Sequence, residues 1–197
     1  MKKLLSALTI VAALFGTTPT DAAESCTQQT KPSNKSNKEM KTLVVCYSAT
    51  GTTKAVAQRL AKLADADFYE IKPQKAYSSA ELNWRDPDSR CCRENGNPAS
   101  RPALADHNAR VESYDVIFVG YPIWWGAAPR VVNSFLESYD FGGKTVVPFA
   151  TSGGSPIGNA AEYLGVSCPS TTTFRRGKLF GGRPSDSELT SWLDSLK

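Results

Sequence analysis

The feature that most constrains this chain is an apolar, β-branched run, Thr42 to Tyr47, followed by Ser48-Ala49-Thr50-Gly51-Thr52-Thr53 and then by apolar residues at helical spacing, Val56, Leu60, Leu63 and Ala64. Strand, turn and helix are predicted in that order. A helix N-terminus carries unpaired N–H groups and the positive end of the helix dipole, so such a turn can hold an anion without a lysine. Within the run Ser48 to Thr53, which includes Ala49, the residues Ser48, Thr50, Thr52 and Thr53 supply hydroxyl donors, and Gly51 lets the backbone approach closely. Turn and cap preferences alone also favour Ser, Thr and Gly here. The turn matches neither G-x-x-x-x-G-K-[ST] nor G-x-G-x-x-G, which weakens a triphosphate or dinucleotide reading.

Two later segments repeat the strand-then-loop design. Asp115 to Tyr121 reads as a buried strand that runs into Pro122-Ile123-Trp124-Trp125-Gly126 and a further helix. Lys144 to Ala150 reads as another strand, delivering Thr151-Ser152-Gly153-Gly154-Ser155. In an open α/β sheet these loops meet outside the carboxyl ends of the strands. A tryptophan pair is more often core or interface than a ligand platform, but three loops converging on one edge favour the platform.

The motifs YS-x-TG-T-T, G-Y-P-I-W-W-G and T-S-G-G-S, in this order, make the chain from about Lys41 onward similar to flavodoxin-like proteins. That resemblance implies a three-layer α/β fold: a doubly wound, five-stranded parallel sheet of order 2-1-3-4-5. It implies FMN as cofactor, with the phosphate at Ser48 to Thr53 and the ring against Trp124 or Trp125 within Pro122 to Gly126. The pyrimidine end would then meet the backbone of Thr151, Ser152, Gly153 and Gly154. Phe68 to Lys72 is the expected second strand, Val146 to Ala150 the core of the fourth, and Thr171 to Phe174 a short fifth. Ala103 to Val111 is the expected helix before strand three. A last helix follows the capping box Ser185-Asp186-Ser187-Glu188, with Leu189, Trp192, Leu193 and Leu196 on its apolar face.

Pro73 to Pro102 is longer than a usual connection. It mixes Tyr77, Trp84, Arg85, Arg90, Arg93 and Arg101 with Cys91 and Cys92, and is expected to be an irregular cationic flap near the ring or a solvated surface loop pinned by a disulfide. Cys46 is expected to be a buried strand residue. With five cysteines, at least one stays unpaired within the chain, and neighbours Cys91 and Cys92 are poorly placed to bond each other. No C-x-x-C spacing exists and His107 is the only histidine, so no metal site is expected.

Residues 1–22 read as a signal peptide: Met1-Lys2-Lys3, an apolar run from Leu4 to Phe15, and small residues near Ala22. Residues 23–40 are a polar leader with the composition of a flexible segment, and residues 41–197 form the domain. The expected location is periplasmic or extracellular, without stable membrane insertion after cleavage, and FMN is then acquired after export. Taking Lys2, Lys3 and Asp21 from the 23 basic and 19 acidic residues leaves 21 and 18, a net charge near +3. Familiar soluble flavodoxins are strongly acidic, so the redox partner protein or small-molecule electron acceptor should differ here. The cluster Arg175-Arg176-Gly177-Lys178 with Arg183 lacks a reading motif for nucleic acid. The favoured function is an FMN electron carrier. An FMN-dependent NAD(P)H quinone or nitro reductase, and a non-redox binding protein on the same scaffold, are the alternatives.

Overall fold

The computed structural model of the protein describes residues 40–197, and the predicted signal peptide and almost all of the polar leader lie outside them. The first predicted strand forms as read: β1 spans Thr42–Tyr47 and is buried from its second residue onward. Its side chains alternate between two cores. Leu43, Val45 and Tyr47 join one apolar cluster, whereas Val44 and Cys46 join another on the opposite face of the sheet. A strand covered on both faces reads as continuous apolar sequence, which is why this run shows no polar alternation.

Helix α1 (Thr52–Leu63) follows, then strand β2 (Asp67–Ile71), helix α2 (Arg90–Gly96), a 3₁₀ turn at Val111–Ser113, and strand β3 (Val116–Pro122). Helix α3 (Arg130–Glu137), strand β4 (Thr145–Thr151), helix α4 (Ala160–Gly165), strands β5 (Thr173–Phe174) and β6 (Lys178–Phe180), and helix α5 (Asp186–Asp194) complete the chain. The sheet order is β2-β1-β3-β4-β5, and all pairings are parallel. Helices α1 and α5 cover one face through Val56, Leu60, Leu189 and Trp192. Helix α3 covers the other through Val131, Val132, Phe135 and Leu136. The expected doubly wound, three-layer fold is therefore present. Trp192 is core, edge-on to Phe118 and Phe180, and Ser185 Oγ accepts from Glu188 N at 3.1 Å as the predicted cap.

Three expectations need correction. The fifth strand is split: β5 pairs with the start of β4 and β6 with its end. The gap at Arg175 to Gly177 lies alongside Pro148, which has no N–H to offer a neighbouring strand. Ala103 to Val111 is not a helix. Leu104 instead bridges to Pro73, Gln74 N donates to Ala103 O (2.7 Å), and Ala105 N donates to Lys72 O (2.8 Å), so tertiary pairing holds this stretch extended. Tyr69 Oη and Asn108 N both donate to the Asp106 carboxylate, satisfying it outside any helix.

The long excursion is not irregular throughout, and only part of its cationic charge is unpaired. It contains α2, capped by Ser89, whose side chain accepts from Cys92 N. Three of its cations are paired, Arg90 with Glu94 (2.6 Å), Lys75 with Glu81 (2.8 Å) and Arg101 with Glu137 (2.7 Å), whereas Arg85 lies over the Trp84 ring and Arg93 donates to the Asp88 carbonyl. Cys46 is fully buried as expected, and burial pushes its thiol up to about 12. Among the described residues Cys46, Cys91, Cys92 and Cys168 are free thiols, so no disulfide among them pins the excursion, which is held by its ion pairs and backbone bonds instead; Cys26 lies outside the described residues.

Candidate functional site at the carboxyl edge of the sheet

Because every strand runs the same way, the loops after β1, β3 and β4 leave from one edge. They enclose a cavity of about 780 Å³ lined by Ala49, Thr50, Pro122, Ile123, Trp124, Trp125, Ser152, Gly153, Gly154 and Ser155. The three separate sequence motifs thus share one chamber. Leu82, Trp84 and Cys91 of the excursion complete its wall. None of these three belongs to the three motifs, because they join the site only through the path of the excursion, whereas Ser155 closes the T-S-G-G-S motif.

The turn after β1 forms the polar end of the site. Gly51 is the α1 N-cap residue at φ +87°, a left-handed conformation that disfavours any residue with a Cβ, and no side chain caps the helix. The space where a Gly51 side chain would stand is open. Ser48 Oγ is buried without a hydrogen-bond partner. Such an orphaned hydroxyl costs free energy unless something at the site satisfies it. Thr50 and Thr52 hydroxyls lie 3.4 Å apart on the exposed side of the turn.

Not every hydroxyl there is available. Thr53 is buried, and its Oγ1 is 2.8 Å from Thr151 Oγ1, a bond that ties the α1 turn to the end of β4. These two residues fix the relation between the loops after β1 and β4. Lys54 pairs with Glu70 at 2.8 Å, so the lysine that follows the turn is held toward β2.

The two tryptophans play different parts. Trp124 lies edge-on to Tyr47 (centroids 5.9 Å apart, 85°) and to Tyr77 (5.6 Å, 84°), a T-shaped arrangement that holds its indole in place. Trp125 and Gly126 both have positive φ, +47° and +81°. Trp124 and Ala127 exchange both backbone bonds across them, at 2.9 and 3.0 Å, which makes a two-residue turn of type I′. A bulky residue in the left-handed region costs of order 1–3 kcal/mol. Here it places Trp125, 49% exposed, on the cavity.

Past β4, Ser152 Oγ accepts from Gly154 N (3.1 Å) and Ser155 N (2.7 Å), folding the Gly-Gly segment into a compact turn. Below Trp124, Tyr47 Oη is buried and without a partner. Tyr77 Oη donates to the Glu94 carboxylate, and Arg90 covers the Tyr77 ring with its Cζ 4.0 Å from the centroid. Burial raises both phenols above their ordinary range, so they remain protonated donors. Burial likewise raises the Cys91 thiol, which keeps that part of the wall uncharged.

The arrangement offers a flat aromatic wall and a glycine-lined backbone edge in one chamber with an anion-holding turn at its margin, which reaches the chamber through Ala49 and Thr50. No curated protein matches the chain. A candidate flavoprotein from Bacteroides uniformis ATCC 8492 is 44% identical, over 80% of this chain and 99% of its own, with a TM-score of 0.75. Another from Bacteroides eggerthii DSM 20697 is 43% identical, over 80% and 98%, with a TM-score of 0.74. A flavoprotein in complex with FMN from Lactobacillus acidophilus NCFM shares the fold at 23% identity and a TM-score of 0.58, over 79% and 99%. The flavodoxin family model matches residues 41–196, so the chain belongs to the flavodoxin family.

Proposed function

We propose that this chain binds FMN at the carboxyl edge of its sheet and carries electrons in the cell envelope. The observation that carries this reading is the convergence of the loops after β1, β3 and β4 on a single cavity of about 780 Å³. Its donors suit the cofactor. The uncapped α1 N-terminus and the orphaned Ser48 Oγ fit a phosphomonoester, and the open space at Gly51 admits it closely. Trp124, fixed between two tyrosines, and Trp125 on its type I′ turn offer faces to a flat heterocycle. The Ser152 to Ser155 turn lies where hydrogen bonds would reach the ring's polar edge. The family and the FMN-bound Lactobacillus relative favour the same cofactor.

When bound, FMN supplies the redox chemistry, and the chain's work is to hold it, shield it from water and set its surroundings. The signal-like residues 1–22 support a location outside the cytoplasm. The test is to purify the mature protein from a fractionated cell, record its visible spectrum and identify the chromophore released on denaturation. A stoichiometric FMN in the envelope fraction is the expected result. A colourless protein that also fails to bind added FMN overturns the reading, and cytoplasmic recovery overturns the location. Turnover of NAD(P)H by the purified holoprotein would move the assignment from carrier to reductase.

A further inference from the structure

We infer that the adjacent thiols Cys91 and Cys92 form a two-sulfur site for a soft monovalent cation, Cu(I); the site goes beyond the proposed function and does not depend on a cofactor. The two residues are held in place from several sides. Ser89 Oγ lies 3.3 Å from Cys91 Sγ and accepts from Cys92 N at 3.4 Å, while Cys91 N donates to Glu81 O at 3.0 Å. Cys92 Sγ is 3.5 Å from Trp84 O and 4.0 Å from Asn83 O. Arg90 bonds Glu94 at 2.6 Å and Lys75 O at 2.7 Å, and Arg130 reaches from α3 to the carbonyls of Glu94 and Asn95 at 3.4 and 3.3 Å, so α2 is clasped at both ends. An ion can reach both residues, because Cys91 lines the cavity at the sheet edge and Cys92 is partly exposed.

The chemistry of the pair selects the ion. A disulfide between neighbours must bring its sulfurs to about 2.05 Å across a single peptide unit, a strain that leaves this pair as free thiols even in an oxidising compartment. A bridging metal relaxes that demand, because each sulfur then bonds the ion rather than its neighbour. Zinc in a structural site takes four ligands, and among the described residues no group of three or more cysteine, histidine or carboxylate side chains gathers to hold a metal. Two carboxylates of the excursion are already engaged, Glu94 by Arg90 and Tyr77, and Glu81 by Lys75 and the Ser78 amide. Hard, oxygen-seeking cations therefore lack ligands here, whereas a pair of thiolates suits Cu(I). Ser89 can turn its hydroxyl proton to the Cys91 sulfur, an outer contact of the kind that orients a metal ligand. Arg85, over the Trp84 ring, and Arg93, on the Asp88 carbonyl, lie in the same segment without a carboxylate partner among the described residues, and they offset the negative charge of a bis-thiolate.

Binding consumes no oxidant. Each thiol releases its proton to solvent as its sulfur bonds the ion, and the copper stays monovalent throughout. Burial and the neighbouring Cys92 thiol raise the Cys91 thiol, which keeps it protonated until the ion displaces the proton. The protein as isolated, with its thiols reduced, is titrated without oxygen against the coloured Cu(I)–ferrozine complex, and loss of colour reports transfer. One Cu(I) per chain should pass to the protein, and an excess of Zn(II) should not compete. Apparent affinity should rise about hundredfold per pH unit, a factor of ten for each proton released. Cys91→Ser and Cys92→Ser should each remove the transfer, whereas Cys26→Ser and Cys168→Ser should leave it as in wild type. Cys92 is partly exposed, so Cys92→Ser carries the test should the variant at buried Cys91 fail to fold. Absence of transfer to wild type, competition by Zn(II), or unchanged transfer in Cys92→Ser overturns the site, and so does its loss in Cys168→Ser. FMN binding stands or falls separately, by the spectrum of the isolated protein.

Discussion

Replacing Ser48 by alanine should move stability and cofactor affinity in opposite directions. The Ser48 hydroxyl is buried and has no partner within the protein. An unsatisfied buried polar group costs about 1–3 kcal/mol, so Ser48→Ala should stabilise the FMN-free protein by about 1 kcal/mol. With a denaturant slope of about 2 kcal/mol per molar for urea, the unfolding midpoint rises by roughly 0.5 M. In the holoprotein the same hydroxyl would donate to a phosphate, and a hydrogen bond to a charged group contributes about 1.5–3 kcal/mol. Its loss weakens FMN binding roughly ten- to hundredfold. Because ligand binding adds stability as RT ln(1 + [L]/Kd), a fixed FMN concentration well above Kd for wild type should reverse the order of the two urea curves. Urea unfolding monitored by far-UV circular dichroism, with and without FMN, and titration of free flavin fluorescence supply the measurements. A destabilised apoprotein with unchanged FMN affinity would make the hydroxyl a structural element of the β1 end and refute the argument.

Gly120→Ala should destabilise strongly: its Cβ would stand 2.2 Å from Phe149 Cζ, and Phe149 is fully buried against Phe180 and Trp192. Overpacking of this kind costs about 1–3 kcal/mol, and a urea midpoint within about 0.2 M of wild type would contradict the packing described. Cys46, with no exposure and its thiol pushed up to about 12, should react with a thiol reagent at pH 8 only as the protein unfolds. Labelling followed by peptide mass mapping checks this, and modification of Cys46 in the native state would oppose it. Lys75 and the Ser78 amide hold the Glu81 carboxyl at about 2, below its ordinary 4.5. A depressed carboxylate contributes its anchoring above the unfolded value, so the excursion should loosen as pH falls from about 4.5 toward 2. Trp84 emission should report that transition, and Glu81→Gln should abolish it; an identical acid profile in the variant would assign the loosening to other groups.

What the chain states locally could be read without a structure. The run Thr42 to Tyr47 has no polar alternation because both faces are covered, and the hydroxyls after it lie where a helix begins. The strands ending at Pro122 and Thr151 announce themselves in the same way, so the convergence of three loops follows from parallel topology alone. Ala103 to Val111 carries helix-compatible residues, but two backbone bonds to the exit of β2 and the Tyr69 hydroxyl on Asp106 outweigh that weak propensity. Helix α2 did leave a trace, an N-cap serine at 89 and the Arg90–Glu94 pair at i, i+4, obscured by adjacent cysteines and a short span. The break in strand five had its signal on another strand, at Pro148.

The site divides along the same line. Its donors lie within a few residues of strand ends and are written in three short motifs. Its far wall is written nowhere locally, because Trp84 lines the cavity through the path of a long excursion, whose α2 end Arg130, some forty-five positions later, bonds at the Glu94 and Asn95 carbonyls. The two adjacent tryptophans show why composition could not assign their parts. The sequence presents them as equivalent, yet a type I′ turn gives neighbouring residues opposite surroundings. Trp124, before the turn, packs between tyrosines, and Trp125, within it, is held in a costly conformation and remains half exposed. Gly126 makes the second turn position easy, whereas the first carries a bulky indole in the left-handed region. A strained turn persists only where its surroundings enforce it, and here the enforcing contact is Trp124. Loss of the Trp124 ring should therefore release the Trp125 turn as well, coupling the two positions so that their single substitutions to alanine are not additive in FMN affinity.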